Sequence, residues 1–119
     1  VKMATPTKTY RVKVKAESKV NKEAVINSAS SFKNICLDQR TPQRVEHRRA
    51  DLVRNRTILW VKADNIGDDT FELTLETESG TYVKEFVSGD EGRTQPNFSD
   101  TLGIQCKVEE LDVIAINDQ

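Results

Sequence analysis

Polar and apolar residues alternate one for one from Tyr10 to Ala16. Tyr10, Val12, Val14 and Ala16 share one face, and Arg11, Lys13 and Lys15 the other. A period of two predicts a half-buried strand. The pattern then changes: Val25, Ala29 and Phe32 recur at helical spacing, with Ile26 widening the stripe. This predicts a helix from Lys22 to Phe32, with Ser18 or Asn21 available as its cap. Ile35-Cys36-Leu37 reads as a short strand. Arg54 to Asp64 reads as a longer one, with Ile58 and Trp60 on one side and Leu59, Val61 and Ala63 on the other. Apolar residues on both faces predict a central position in a sheet. Phe71, Leu73 and Leu75 alternate with Glu72, Thr74 and Glu76, giving a strand with one acidic, wet face.

After the break at Ser79-Gly80, Thr81 to Val87 fits either a hairpin extension or a helix with Val83, Phe86 and Val87 inward. Gly89 to Asn97 reads as a loop and Ser99 to Gly103 as one helical turn. Ile104 to Ile116 reads as a closing strand interrupted around Glu109-Glu110. The expected fold class is α/β of the α+β kind: a mostly antiparallel mixed sheet with helices on one side.

The 119 residues have room for one domain and a real core. Hydrophobic content of 36% against 31% charged residues fits a small layered domain with much exposed surface. No apolar run reaches membrane-span length, and the first ten residues lack the apolar core of a secretion signal. Met3 is not the first residue and a strand begins almost at once, so an excised domain is expected. Cys36 and Cys106 lie far apart, with one histidine in the whole chain, which speaks against a zinc site. Both are expected to be buried free thiols, in keeping with a cytoplasmic location.

Charge changes the picture. The stretch from Gln39 to Arg56 holds Arg40, Arg44, Arg48, Arg49, Arg54 and Arg56 and the sole histidine, His47, against two acids, Glu46 and Asp51. It carries +4 inside a chain of net charge −1, so the remainder carries −5. No lysine occurs in the stretch. Guanidinium is planar, always charged and able to grip a phosphate with two parallel hydrogen bonds. The segment therefore reads as a polyanion footprint, or else as a linker pairing with glutamates elsewhere. Thr41-Pro42 reads as a helix start. A helical turn after it would put Arg44, His47 and Arg48 on one face. Hydrolytic motifs, a glycine-rich phosphate loop and a calcium loop are all missing. Phosphate contact or packing is the expected job of His47.

Three blocks carry a family resemblance. The first runs from Gln39 to Arg54, QRTPQRVEHRRADLVR. The second is Gly80-Thr81-Tyr82-Val83-Lys84-Glu85-Phe86-Val87-Ser88-Gly89-Asp90, followed by Gly92-Arg93-Thr94. The third is Glu110-Leu111-Asp112-Val113. In order and spacing they resemble the archaeal and eukaryotic tRNA pseudouridine synthase family often called Pus-ten. The resemblance implies an isomerase that turns uridine into pseudouridine in the T-loop of tRNA, with no metal or organic cofactor and with the target base flipped from its stack. It implies that Tyr10 stacks on the base and assists proton transfer, and that Lys84 pairs with the catalytic carboxylate. Leu102 would line the base pocket. Arg40, Arg44, His47, Arg48, Arg49, Arg54, Arg56 and Arg93 would contact RNA.

One element of the family pattern is missing. The catalytic aspartate of the family sits in a Gly-Arg-Glu-Asp block upstream of the tyrosine, and here the first aspartate is Asp38. The expectation is a single domain forming the carboxyl-terminal half of a pseudouridine synthase catalytic domain, inactive alone. The upstream part of that domain and the tRNA T-arm would be its partners. A non-catalytic RNA-binding module of the same ancestry is the alternative. A protein-interaction domain whose arginines meet acidic partners is a third reading.

Overall fold

The computed structural model describes residues 6–45, 47–48 and 52–117. Six strands and three helices follow in order: β1 (Thr7–Ala16), α1 (Lys22–Ser30), β2 (Ile35–Arg40), β3 (Val53–Asp64), β4 (Thr70–Glu78), α2 (Val83–Ser88), β5 (Thr94–Gln95), α3 (Phe98–Leu102) and β6 (Cys106–Asn117). Single 3-10 turns occupy Gln43–Val45 and Asp90–Gly92. The strands form one sheet in the order β5-β2-β3-β4-β1-β6, with every pairing antiparallel. The segment from Thr81 resolves as helix, because Val83, Phe86 and Val87 all reach the core.

The helices gather on one face. Tyr10, Val12 and Val14 of β1 and Phe71, Leu73 and Leu75 of β4 form a single cluster with Val25 and Ala29 of α1, Phe86 of α2 and Phe98 of α3. Phe32 lies edge-on to Phe86 at 4.9 Å and Phe98 sits 5.6 Å from Phe71, so four aromatic rings tie the helices to the sheet. Each such ring contributes about 1.5–3 kcal/mol by burial, and each pair about 0.5–1.5 kcal/mol more. The opposite face is polar. Arg11 donates to Asp64, Glu72 and Thr74 there, and Trp60 Nε1 donates to Glu76.

Three particulars differ from the sequence reading, and a fourth agrees with it. Helix α1 ends at Ser30, although Phe32 still packs in the core, and Ile26 points out to solvent. Cys36 is exposed, because strand alternation sets it opposite buried Leu37; Cys106 alone is the buried thiol. In β3 a bulge between Ile58 and Trp60 shifts the phase by one residue. Ile58 and Val61 therefore both face the core, while Trp60 turns to the open face. Strand β6 carries two irregularities against β1, one of them between Glu110 and Val108, where the interruption was expected.

Candidate nucleic-acid interface

Two of the three sequence blocks meet in space. Gln39, at the end of β2, is 1% exposed. Its Nε2 donates to the Tyr82 carbonyl at 3.0 Å and to Thr94 Oγ1 at 3.3 Å, and its Oε1 accepts from the Tyr82 N–H at 2.9 Å. The amide thus serves the Tyr82 backbone as a neighbouring strand would. Arg44, in the 3-10 turn, donates through Nε to Glu85 Oε2 at 2.8 Å and through Nη2 to Glu85 Oε1 at 3.4 Å. Its guanidinium also sits 5.9 Å from the centre of the Tyr82 ring. Beside it, the Gln43 N–H donates to Asp90 Oδ2 at 3.0 Å, and Gln43 Nε2 reaches both Asp90 and Glu91. Further on, the Arg40 N–H donates to the Arg93 carbonyl, and Arg93 Nη1 donates to the Thr41 carbonyl at 2.8 Å. The first block is thus fastened to the start and middle of α2 and to the turn that follows it.

What remains outward is basic. Arg40, His47 and Arg48 are exposed, and Lys84 is exposed on α2. Arg54 stands opposite Gln39 and Arg56 opposite Leu37, so both project on the helix-bearing face. Arg56 packs its guanidinium against Gly80, where an added Cβ would lie 3.2 Å from Arg56 Nε. Gly80 has φ +89°, a conformation side chains disfavour, so the turn and the close approach both call for glycine. Arg54 Nη1 and Arg56 Nε are buried donors without an acceptor among the described residues. Arg49 lies outside the described residues. Arg44, His47 and Arg48 do not present donors together: Arg44 turns inward to Glu85, while His47 and Arg48 face solvent.

Tyr10 stands on β1 between Leu75 of β4 and Val113 of β6, on the face that α2 covers. Burial pushes its phenol pKa above the ordinary value, so it stays protonated at neutral pH. Lys84 rides on the outer side of α2, whose inner side shares the Tyr10 core. Leu102, at the end of α3, is half-buried against the same core. Asp38 accepts from Asn55 Nδ2, and Asp90 is held by Gln43. Both carboxylates are engaged away from Tyr10's strand. Among the described residues no three metal-ligating side chains gather, and no helix is long and apolar enough to cross a membrane.

Sequence reasoning passed over Gln39 and Glu85. Glu85 had a signal: it lies between Val83 and Phe86 in a run otherwise read as inward-facing, and a buried glutamate there demands a cation. Gln39 had none, since a polar residue at a strand end reads as exposed.

The family model described as "Pus10, C-terminal" matches residues 2–117. The tRNA pseudouridine synthase Pus10 of Methanocaldococcus jannaschii is 41% identical over 93% of this chain and 24% of its own length. That of Archaeoglobus fulgidus is 43% identical over 98% of this chain and 32% of its own. The human protein of the same name is 38% identical over 93% of this chain and 21% of its own. The chain thus spans about a quarter to a third of these archaeal relatives and about a fifth of the human one. Among solved structures, a Cbf5-Nop10-Gar1 complex aligns over 92% of this chain and 30% of the other, with TM-score 0.74 at 19% identity. An archaeal box H/ACA Nop10-Cbf5 complex aligns with TM-score 0.67 at 14% identity. At such identities the likeness is one of fold.

Proposed function

The chain belongs to the Pus10 family, as its C-terminal region, and from that premise we propose that it supplies the RNA-gripping half of a tRNA pseudouridine synthase active site. The substrate is uridine in the T-loop of tRNA, and the setting is cytoplasmic. Tyr10 packs under the flipped base, Lys84 pairs with the catalytic aspartate, and Leu102 lines the pocket. Arg40, His47, Arg48, Arg49, Arg54, Arg56 and Arg93 face or brace the RNA backbone. The observation that carries this reading is the fastening of the arginine block to the Gly80–Lys84 block by Gln39, Arg44 and Arg93. It supports the reading because it ties the arginine block to the helix that carries Lys84.

The aspartate comes from the preceding part of the protein, since this chain has no Gly-Arg-Glu-Asp block. Strand β6 is the proposed seat for that part. It ends the sheet, yet Val113, Ile114 and Ile116 are 48%, 54% and 63% exposed. Apolar residues on both sides of an outermost strand suit one more strand and one more layer.

The test is binding of a labelled tRNA transcript at two salt concentrations, with Arg48→Ala/Arg49→Ala as comparison. Each lost phosphate contact flattens the log–log salt slope by roughly 0.7–0.9. The expected result is binding by the parent chain, weaker and flatter binding by the double variant, and no pseudouridine formed by the chain alone. Absence of tRNA binding at low salt would remove the site assignments of Arg48 and Arg49. Pseudouridine made by the isolated chain would refute the shared active site.

A further inference from the structure

We propose that Arg44 and Glu85 form a positioning pair for Lys84, and that Arg44 works through Glu85 rather than on RNA. The inference rests on the synthase reading above and departs from the role the sequence pattern gave Arg44.

Helix α2 cannot hold its own orientation. It has six residues, well short of a length stable in isolation. Its N-cap, Tyr82, makes no side-chain capping bond. What aims it comes from outside, and Arg44 is the tie that reaches its middle. Two N–H groups of one guanidinium meet the two oxygens of one carboxylate, a geometry that fixes direction as well as distance. Arg44 also lies over the Tyr82 ring. It therefore touches residues on both sides of Lys84 without touching Lys84.

The burial of the partners is unequal, and this decides the role. The Glu85 side chain is 8% exposed, the Arg44 side chain 52%. A carboxylate that deep must keep its cation, because an uncompensated buried charge is strongly destabilising. Two of the five N–H groups of Arg44 go to Glu85, and the carboxylate offsets its charge, so its fixed partner is α2. Neighbouring Arg40 and Arg48 are on the same segment and exposed. RNA held by them would press on a segment whose inward arginine steers α2, so substrate contact and lysine placement become one mechanical event.

The experiment uses the full-length protein, with Arg44→Gln, Glu85→Gln, the double variant, Arg44→Lys and Arg48→Ala. Three quantities are read: tRNA affinity with its salt slope, the single-turnover rate of pseudouridine formation at saturating enzyme, and thermal unfolding. Arg44→Gln and Glu85→Gln are expected to lower the saturated rate roughly tenfold to a hundredfold, the scale of a misplaced catalytic group. Affinity and salt slope stay at parental values. The double variant is no worse than the worse single, as for two ends of one interaction. Arg44→Lys, which keeps the charge and loses the fork, recovers part of the rate. Arg48→Ala is the comparison for direct RNA contact: it weakens binding and flattens the salt slope.

The proposal is overturned if Arg44→Gln weakens and flattens tRNA binding while its saturated rate is parental. It is also overturned if Glu85→Gln leaves the rate untouched, or if Arg44→Lys, folded by its unfolding curve, recovers nothing. If the parent protein forms no pseudouridine, the synthase reading falls and this inference with it.

Discussion

Replacing Gln39 with alanine removes the part that joins two sequence blocks. The side chain makes three hydrogen bonds, two of them to the Tyr82 backbone. Each is worth about 1 kcal/mol net, and a buried group left unpaired costs about 1–3 kcal/mol. Tyr82 N–H and C=O lose their acceptor and donor together, since alanine reaches neither. With Gln39 only 1% exposed, water cannot readily take its place. The expected loss is about 3 kcal/mol. At this chain length each kcal/mol moves the midpoint by about 4 °C, so the melting temperature should fall by about 12 °C. Urea denaturation followed by Trp60 fluorescence gives the free energy directly. Gln39→Glu keeps the volume and the bond from the Tyr82 N–H, but sets a carboxylate against the Tyr82 carbonyl, and is expected to fall near the alanine variant. Gln43→Ala is the control: its side-chain bonds are exposed, and its loss should stay within about 0.5 kcal/mol. A Gln39→Ala loss below about 1 kcal/mol would refute the claim that Gln39 holds the blocks together.

Gly89 ends α2 at φ +85°, and an added Cβ would lie 2.7 Å from Asn97 Nδ2, which is itself bonded to the Thr94 carbonyl. Gly89→Ala should cost about 2 kcal/mol or more by denaturation, whereas Gly103→Ala, at φ +86° with nothing within 4 Å, should cost only the conformational penalty of about 1–2 kcal/mol. Burial pushes the Cys106 thiol up to about 11, while Cys36 is exposed. Thiol-reactive probes at pH 8 should therefore label one site on the native protein and two after unfolding, as counted by mass spectrometry. For Glu72, desolvation raises the carboxyl pKa, but hydrogen bonds from Asn65 and Arg11 outweigh it and hold the group below its ordinary value. A depressed folded-state pKa gives stability that is present above the unfolded value and lost as pH falls through the folded one. Wild type should thus exceed Glu72→Gln in stability at neutral pH, with the gap closing as pH drops below the carboxylate range.

Strands were the readable part of this chain, because period-two alternation survives wherever one face is wet. In β1 and β4 the inward and outward positions fall as read, although β1 starts three residues earlier, at Thr7, and β4 runs from Thr70 to Glu78. β3 did not, because a bulge is one extra residue with no signature of its own; it moved Trp60 from the side of Ile58 to the open face. The arginine block was visible as charge, but charge alone does not say which arginine faces inward. That was settled by Glu85, forty-one positions away. Tyr10 and Lys84 were reached through resemblance, and their elements place them on the two sides of one helix-covered layer. Arg49 falls outside the described residues.

The sheet order has a consequence for how the chain is made. β1 leaves the ribosome well before β6, one of its two neighbours, and Thr7 and Asn117 are 110 positions apart. β4 reaches it sooner, but at synthesis rates of roughly 5–20 residues per second the gap before β6 arrives is several seconds to about twenty. Through that interval Tyr10, Val12 and Val14 sit in a strand with one side unclaimed. Such long-range pairing is slow by nature. Anything that pauses translation between β4 and β6 prolongs the exposure, so codon usage across residues 79–105 sets how long that edge of β1 stays open.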